Sequence, residues 1–149
     1  MNEIQGRRLA ILTSGGDCSG MNSAICAVIK MALYKGLEAF VIREGFAGLL
    51  KGNRNQDILA AEEANLGQNA LSYGCGDFFR LGDLGGGDSK FHDQYIIRVG
   101  WDDVRSWENQ GGTLIGSARC KEFMSQEGRL QGAFNLISNG IDLSLIHIS

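Results

Sequence analysis

The sequence predicts an α/β protein: a Rossmann-like, three-layer sheet of parallel strands with helices on its faces. Three observations carry that expectation. Leu9-Ala10-Ile11-Leu12 is a short unbroken apolar run of the kind that fills a strand buried on both faces. From Met21 to Tyr34 the apolar residues Met21, Ile25, Val28, Ile29, Ala32 and Leu33 return every three or four positions, the period of an amphipathic helix. Ala39-Phe40-Val41-Ile42 is a second apolar run, so the chain up to Ile42 spells strand, helix, strand, a crossover of right-handed sense.

The first strand is bounded by Arg7-Arg8 before it and Ser14-Gly15-Gly16 after it, and Gly36 supplies the stop for the helix. Residues 51–93 read as a long loop insertion, rich in Gly, Asn, Asp and Ser, with a weak alanine-rich helical pattern near Ile58 to Asn65. Asp77, Asp83 and Asp88 lie among its glycines, but their spacing is not that of an EF-hand, which favours a plain loop over a calcium site. Gln94 to Val99 is a strand or the tail of the insertion. Trp101 to Glu108 carries Trp101, Val104 and Trp107 at helical spacing, with the two rings read as core rather than as a platform for bases. Ser125 to Ser138 repeats Leu130, Ala133, Phe134, Leu136 and Ile137 as a helix ended by Asn139-Gly140, and Ile141 to Ile148 is the next strand. The chain has no proline, so its turns rely on glycine and asparagine.

At 149 residues the chain is long enough for one ordinary domain and short enough to be one part of a larger enzyme. A net charge of −3 with no dense basic cluster gives no electrostatic reason to expect nucleic acid or an anionic membrane as a partner. Any phosphate site must therefore be local. Cys18, Cys26, Cys75 and Cys120 lack the paired spacing of a zinc site and the density of a disulfide scaffold, and His92 and His147 are too scattered to complete a metal shell. Four unpaired thiols, no apolar stretch of membrane-spanning length and no signal-like start place the expectation on a soluble, cytoplasmic protein.

Two glycine-rich stretches carry the chemistry: Thr13 to Asn22, and Gly111 to Cys120. Glycine directly after a buried strand lets the main chain approach a phosphate, and the helix that follows offers unpaired amides and the positive end of its dipole. Gly15 and Gly16 fit that geometry, although the spacing matches neither GxxxxGK[ST] nor a full GxGxxG, and a purely structural turn is the alternative. Asp17 beside a bound phosphate would repel it unless it holds magnesium, bonds to backbone amides or faces a second ligand, and the sequence leaves these open. Arg119 closes the second stretch, and its planar guanidinium can grip two phosphoryl oxygens at once. The alternative for Arg119 is a surface ion pair with Glu122 or Glu127. Cys120 has no partner that would activate it, so its residue-level reading is a packing thiol.

These stretches together resemble the start of ATP-dependent 6-phosphofructokinase. The resemblance rests on Leu9 to Asp17 with Gly20-Met21-Asn22, on Ile42-Arg43-Glu44-Gly45-Phe46-Ala47-Gly48-Leu49, and on Gly111-Gly112-Thr113 through Ala118-Arg119-Cys120-Lys121-Glu122-Phe123. Glu127-Gly128-Arg129-Leu130 and Gly140-Ile141-Asp142 extend it. It implies an incomplete phosphofructokinase fold, with residues 1–142 as the amino-terminal part of the catalytic domain, and a eukaryotic, fungal- or protist-like parent. It further implies transfer of the ATP γ-phosphoryl group to fructose 6-phosphate with Mg2+, in an allosteric, homo- or hetero-oligomeric glycolytic enzyme. Within that resemblance Gly15 and Gly16 belong to the ATP loop, Phe46 lies near the nucleotide with its ring but no hydroxyl, Arg119 and Cys120 lie along the nucleotide, and Arg119 stabilises the migrating charge.

The departures are as specific. Cys26 stands where the family commonly has arginine, and with Lys30 it occupies positions that help bind a regulatory nucleotide in bacterial members. Residues 143–149 read as a non-matching tail, and the loop carrying the magnesium aspartate and the segment carrying the catalytic base have no counterpart in this chain. The isolated chain is therefore expected to transfer no phosphoryl group. The rival readings are a diphosphate-dependent phosphofructokinase and a non-catalytic nucleotide-binding module.

Overall fold

A computed structural model of the chain describes residues 6–16, 18–52 and 94–148. Its elements are β1 (Arg8–Ser14), α1 (Met21–Tyr34), β2 (Glu38–Ile42), α2 (Gly45–Lys51), β3 (Ile96–Val99), α3 (Gln126–Ser138) and β4 (Leu143–Ile148). Short 3-10 turns lie at Trp107–Asn109 and Glu122–Met124. The predicted insertion falls almost wholly outside the described residues, as do Asp17, Cys75 and His92.

The four strands form one sheet in the order β3-β2-β1-β4. β1 is the central parallel strand that its apolar run predicts, with Leu9 opposite Ala39 on one side and Leu143 on the other. β3 departs from the all-parallel expectation. It runs antiparallel along the outer side of β2, with Ala39 opposite Val99 and Ile42 opposite Ile96. The amide of Arg43, just past β2, donates to the carbonyl of Tyr95, just before β3, at 2.8 Å. The chain thus enters β3 at the end where β2 finishes, and the strand can only run back. An antiparallel edge on a parallel sheet is a common arrangement.

Strand alternation divides the interior in two. Ile11, Ala39, Val41, Ile97 and Val99 point to one face, where α1 covers them with Ile25, Cys26, Ile29 and Ala32. Ala10, Leu12, Ile42 and Ile96 point to the other face and meet Leu49 of α2, with Phe46, Phe123 and Leu136 packed around them. Helices on both faces make the three layers, and each fully buried Ile or Leu contributes about 1.5–3 kcal/mol relative to an exposed one. α1 begins and ends where the periodicity places it, and Gly36 closes it at φ 80°, a left-handed conformation that glycine adopts without a Cβ clash.

Two segments differ from expectation. Trp101 to Glu108 is a series of turns ending in the 3-10 turn, not a helix. The Asp103 carboxylate accepts the Gly100 amide at 2.6 Å, a local side-chain bond that competes with helical pairing. Val104 and Trp107 are core as expected, but Trp101 is half exposed, with Lys30 Nζ 5.9 Å from its ring centre. α3 follows its predicted span and is capped by Ser125 Oγ, which accepts the Gly128 amide at 3.0 Å. It packs through Gly132, Asn135 and Leu136, whereas Leu130, Phe134 and Ile137 are exposed.

Candidate nucleotide-binding site

The two glycine stretches, far apart in sequence, meet at the carboxyl end of β1. Thr13 is wholly buried, and its hydroxyl donates to the Gly116 carbonyl at 3.0 Å while lying 3.1 Å from the Thr113 hydroxyl. The backbones pair directly in a parallel bridge between Thr13 and Ser117. One step on, Ser117 Oγ donates to the Gly15 carbonyl at 2.9 Å. A buried hydroxyl is costly unless paired, so each of these bonds fixes one loop against the other.

A third segment joins them. The turn Glu44-Gly45-Phe46 lies beside the second stretch, with the Glu44 amide donating to the Ile115 carbonyl at 2.9 Å. Gly45 sits so tightly that a Cβ there would run into the Thr13 carbonyl and come within 3.3 Å of the Ala118 nitrogen, and its φ of 56° already disfavours any side chain. Glu44 takes the same left-handed region, at φ 56°, without being glycine, a conformation that costs about 1–2 kcal/mol. Lys51 Nζ holds its carboxylate at 2.9 Å, and that bond, followed by one to Tyr95, raises the lysine's pKa above its ordinary value. Phe46 follows directly and stacks on Phe123 with ring centres 4.1 Å apart.

The expected phosphate-contacting atoms line the same edge. Gly15 adopts φ 105°, and a Cβ at Gly16 would meet no atom within 4 Å among the described residues. Packing therefore does not demand glycine at 16, and the open space there suits close approach by a ligand. Gly20, at the N-cap of α1, brings no side-chain acceptor, so the first amides of that helix have no side chain capping them at this position. Arg119 is exposed and makes no ion pair with Glu122 or Glu127 among the described residues. Cys120, half-buried, is a free thiol. No three His, Cys, Asp or Glu side chains among the described residues cluster as metal ligands. No helix among them is long and apolar enough to cross a membrane.

A phosphofructokinase family profile matches residues 8–148, nearly the whole chain. The chain belongs to the phosphofructokinase family. It is 37% identical over 145 residues to the ATP-dependent 6-phosphofructokinase of Yarrowia lipolytica, covering 97% of this chain and 11% of that one. It is 36% identical over 140 residues to the beta subunit of the Kluyveromyces lactis ATP-dependent 6-phosphofructokinase, covering 94% of this chain and 11% of that subunit. The solved phosphofructokinase of Saccharomyces cerevisiae superposes with a TM-score of 0.65 at 34% identity, over 94% of this chain and 13% of that one. The chain thus spans roughly a tenth of the length of these relatives.

Cys26 and Lys30 are engaged internally. Lys30 Nζ pairs with the Glu108 carboxylate at 2.8 Å, and the Cys26 thiol donates to Val104 O and to the same carboxylate, each at 3.3 Å. Burial, then the Glu108 contact, pushes the Cys26 thiol above its ordinary pKa and keeps it protonated. Two residues that the sequence shows only as parts of its motifs gain a place in the site: Gly45, where a Cβ would run into the Thr13 carbonyl, and Asn22, whose buried amide bonds to residues far along the chain.

Proposed function

We propose that this chain forms the nucleotide-holding edge of an ATP-dependent 6-phosphofructokinase, which transfers the ATP γ-phosphoryl group to the 1-hydroxyl of fructose 6-phosphate. In that reaction the hydroxyl oxygen bonds to the γ-phosphorus, the bond from that phosphorus to the β–γ bridging oxygen breaks, and the hydroxyl proton is lost, giving fructose 1,6-bisphosphate and ADP. The observation that carries the reading is the convergence of Gly15-Gly16, Glu44-Gly45-Phe46 and Gly116 to Arg119 on one end of β1. Relatives named as ATP-dependent enzymes favour ATP over diphosphate as donor.

In this reading Gly15 and Gly16 bring backbone amides to the phosphates, with Gly16 admitting the closest approach. Phe46, braced by Phe123, borders the nucleoside, and Cys120 lies along it. Arg119 reaches the γ-phosphoryl group, where a guanidinium beside the β–γ bridging oxygen binds more strongly as negative charge migrates to that oxygen. Mg2+ would neutralise phosphate charge in the full reaction. The described residues present no cluster of metal ligands, so none of them is assigned to the ion.

The family reading carries a cytoplasmic, glycolytic role, with allosteric control and assembly into homo- or hetero-oligomers. Relatives named as alpha and beta subunits support the hetero-oligomeric form. Calorimetric titration of the purified chain with ATP, and separately with inorganic diphosphate, tests the donor. ATP binding without comparable diphosphate binding is expected; preference for diphosphate would overturn the ATP reading. Absence of ATP-dependent fructose 1,6-bisphosphate formation by a full-length enzyme carrying this segment would overturn the reaction.

A further inference from the structure

We propose that Asn22 is a positioning residue that clamps the second glycine stretch to the first turn of α1, and so sets the gap between the two loops that receive the nucleotide. This rests on the nucleotide reading above. Asn22 is the second residue of α1 and the last of the first glycine stretch, and it is wholly buried. Its side chain spends every bond on the other loop. Nδ2 donates to the Gln110 carbonyl at 2.9 Å and to the Gly111 carbonyl at 3.3 Å, and Oδ1 accepts the Leu114 amide at 2.8 Å.

A carboxamide is suited to this task because it offers a donor and an acceptor at fixed separation. With its two ends it spans the start of the second stretch, where it enters at Gln110-Gly111 and turns at Leu114. The far end of that stretch is tied to the first loop through Thr13 and Ser117. The stretch is thus held at both ends, by α1 and by the end of β1, and Arg119 projects from a segment whose position the two attachments determine. Neighbouring contacts on α1 do not do this. Ser23 donates to the Glu108 carbonyl at 3.1 Å, before the stretch begins.

The test uses Asn22→Ala, with Ser23→Ala as control, and reads two quantities on the purified chain: hydrogen exchange of the Leu114 amide and ATP affinity by calorimetry. The clamp requires Leu114 exchange to accelerate by at least about tenfold while the amides of Ile11 and Val41 in the sheet keep their protection. ATP binding is expected to weaken about tenfold, the scale for losing buried hydrogen bonds. Ser23→Ala is expected to leave both readings unchanged. In a full-length enzyme carrying the segment, Asn22→Ala is expected to lower kcat and leave KM for fructose 6-phosphate unchanged.

If Asn22→Ala does not fold, Asn22→Asp keeps an acceptor for Leu114 and loses the donor to Gln110 and Gly111, so weaker ATP binding with a protected Leu114 amide is the expected result. Unchanged Leu114 exchange in Asn22→Ala overturns the clamp. Accelerated exchange with unchanged ATP affinity overturns its role in nucleotide binding. Failure of the unsubstituted chain to bind ATP removes the nucleotide reading instead, and Leu114 exchange still decides whether the clamp exists.

Discussion

Ser117 Oγ donates a 2.9 Å hydrogen bond to the carbonyl of Gly15, across 102 residues of chain. The bond joins the two loops at the point where each turns away from β1. Replacing Ser117 by alanine removes the donor and leaves a partly buried carbonyl unpaired, at a cost of about 1 kcal/mol. The expected outcome for Ser117→Ala is a slightly lower melting temperature and ATP affinity reduced by about fivefold, since about 1 kcal/mol is that factor. Calorimetry showing parental ATP affinity would remove this bond from the site.

Gly45 is predicted to tolerate no side chain. Even the methyl group of Gly45→Ala would collide with the Thr13 carbonyl, and the left-handed backbone adds strain to the collision. Neither neighbour is a flexible side chain that could swing away. Destabilisation of about 3 kcal/mol or more is expected, the range reserved for steric conflict in packed structure. Urea unfolding measures it, and a midpoint within error of the parent's would show that the turn is looser than its contacts require.

Much of this fold is legible in the sequence, because a short apolar run beside a glycine turn and a three-to-four periodicity are local signals. They place β1, α1 and β2 closely, and loop chemistry is what singles out Gly15, Gly16 and Arg119 as candidates. What escapes is set by long-range geometry. Asn22 closes the first glycine stretch in the sequence, but its role shows only when Gln110 and Leu114 come round to meet it. Trp101 and Trp107 share a helical spacing, yet the Asp103 carboxylate turns the backbone and only Trp107 reaches the core. Phe46 carries its expectation from the family, but its stack on Phe123 appears only once α2 and the 3-10 turn at Glu122–Met124 sit on the same sheet face.

The Lys30–Glu108 pair gives a pH signature. Lys30 holds the Glu108 carboxyl below its ordinary pKa, with the Cys26 thiol as second cause, and Glu108 holds the Lys30 ammonium above its own. The carboxylate's contribution is therefore present above the ordinary carboxylate range and is lost as pH falls through its lowered folded value. The ammonium's contribution is present below the ordinary lysine range and is lost as pH rises through its raised value. Both operate at neutral pH. Glu108→Gln is expected to melt slightly below the parent at pH 7, with a gap that narrows in acid and at high salt because the pair is partly exposed. Equal melting temperatures across the whole pH range would show that the pair contributes nothing.

Arg119 is expected to act on the rate more than on binding. It is exposed at the end of a stretch held by Ser117 and Asn22, and it makes no ion pair with Glu122 or Glu127 among the described residues. Its guanidinium can therefore meet a phosphoryl group without first breaking either of those contacts. In the ground state it would share the phosphate charge with backbone amides, and its grip tightens only as charge moves toward the bridging oxygen. In a full-length enzyme carrying this segment, Arg119→Ala is expected to lower kcat on the order of 10²-fold, the usual effect of removing one transition-state donor, with a much smaller change in KM for ATP. Arg119→Lys is expected to recover only part of the loss, because an ammonium cannot reproduce the two parallel bonds of the planar fork. A rise in KM with kcat unchanged would assign Arg119 to uniform nucleotide binding, and unchanged kinetics would remove it from the reaction.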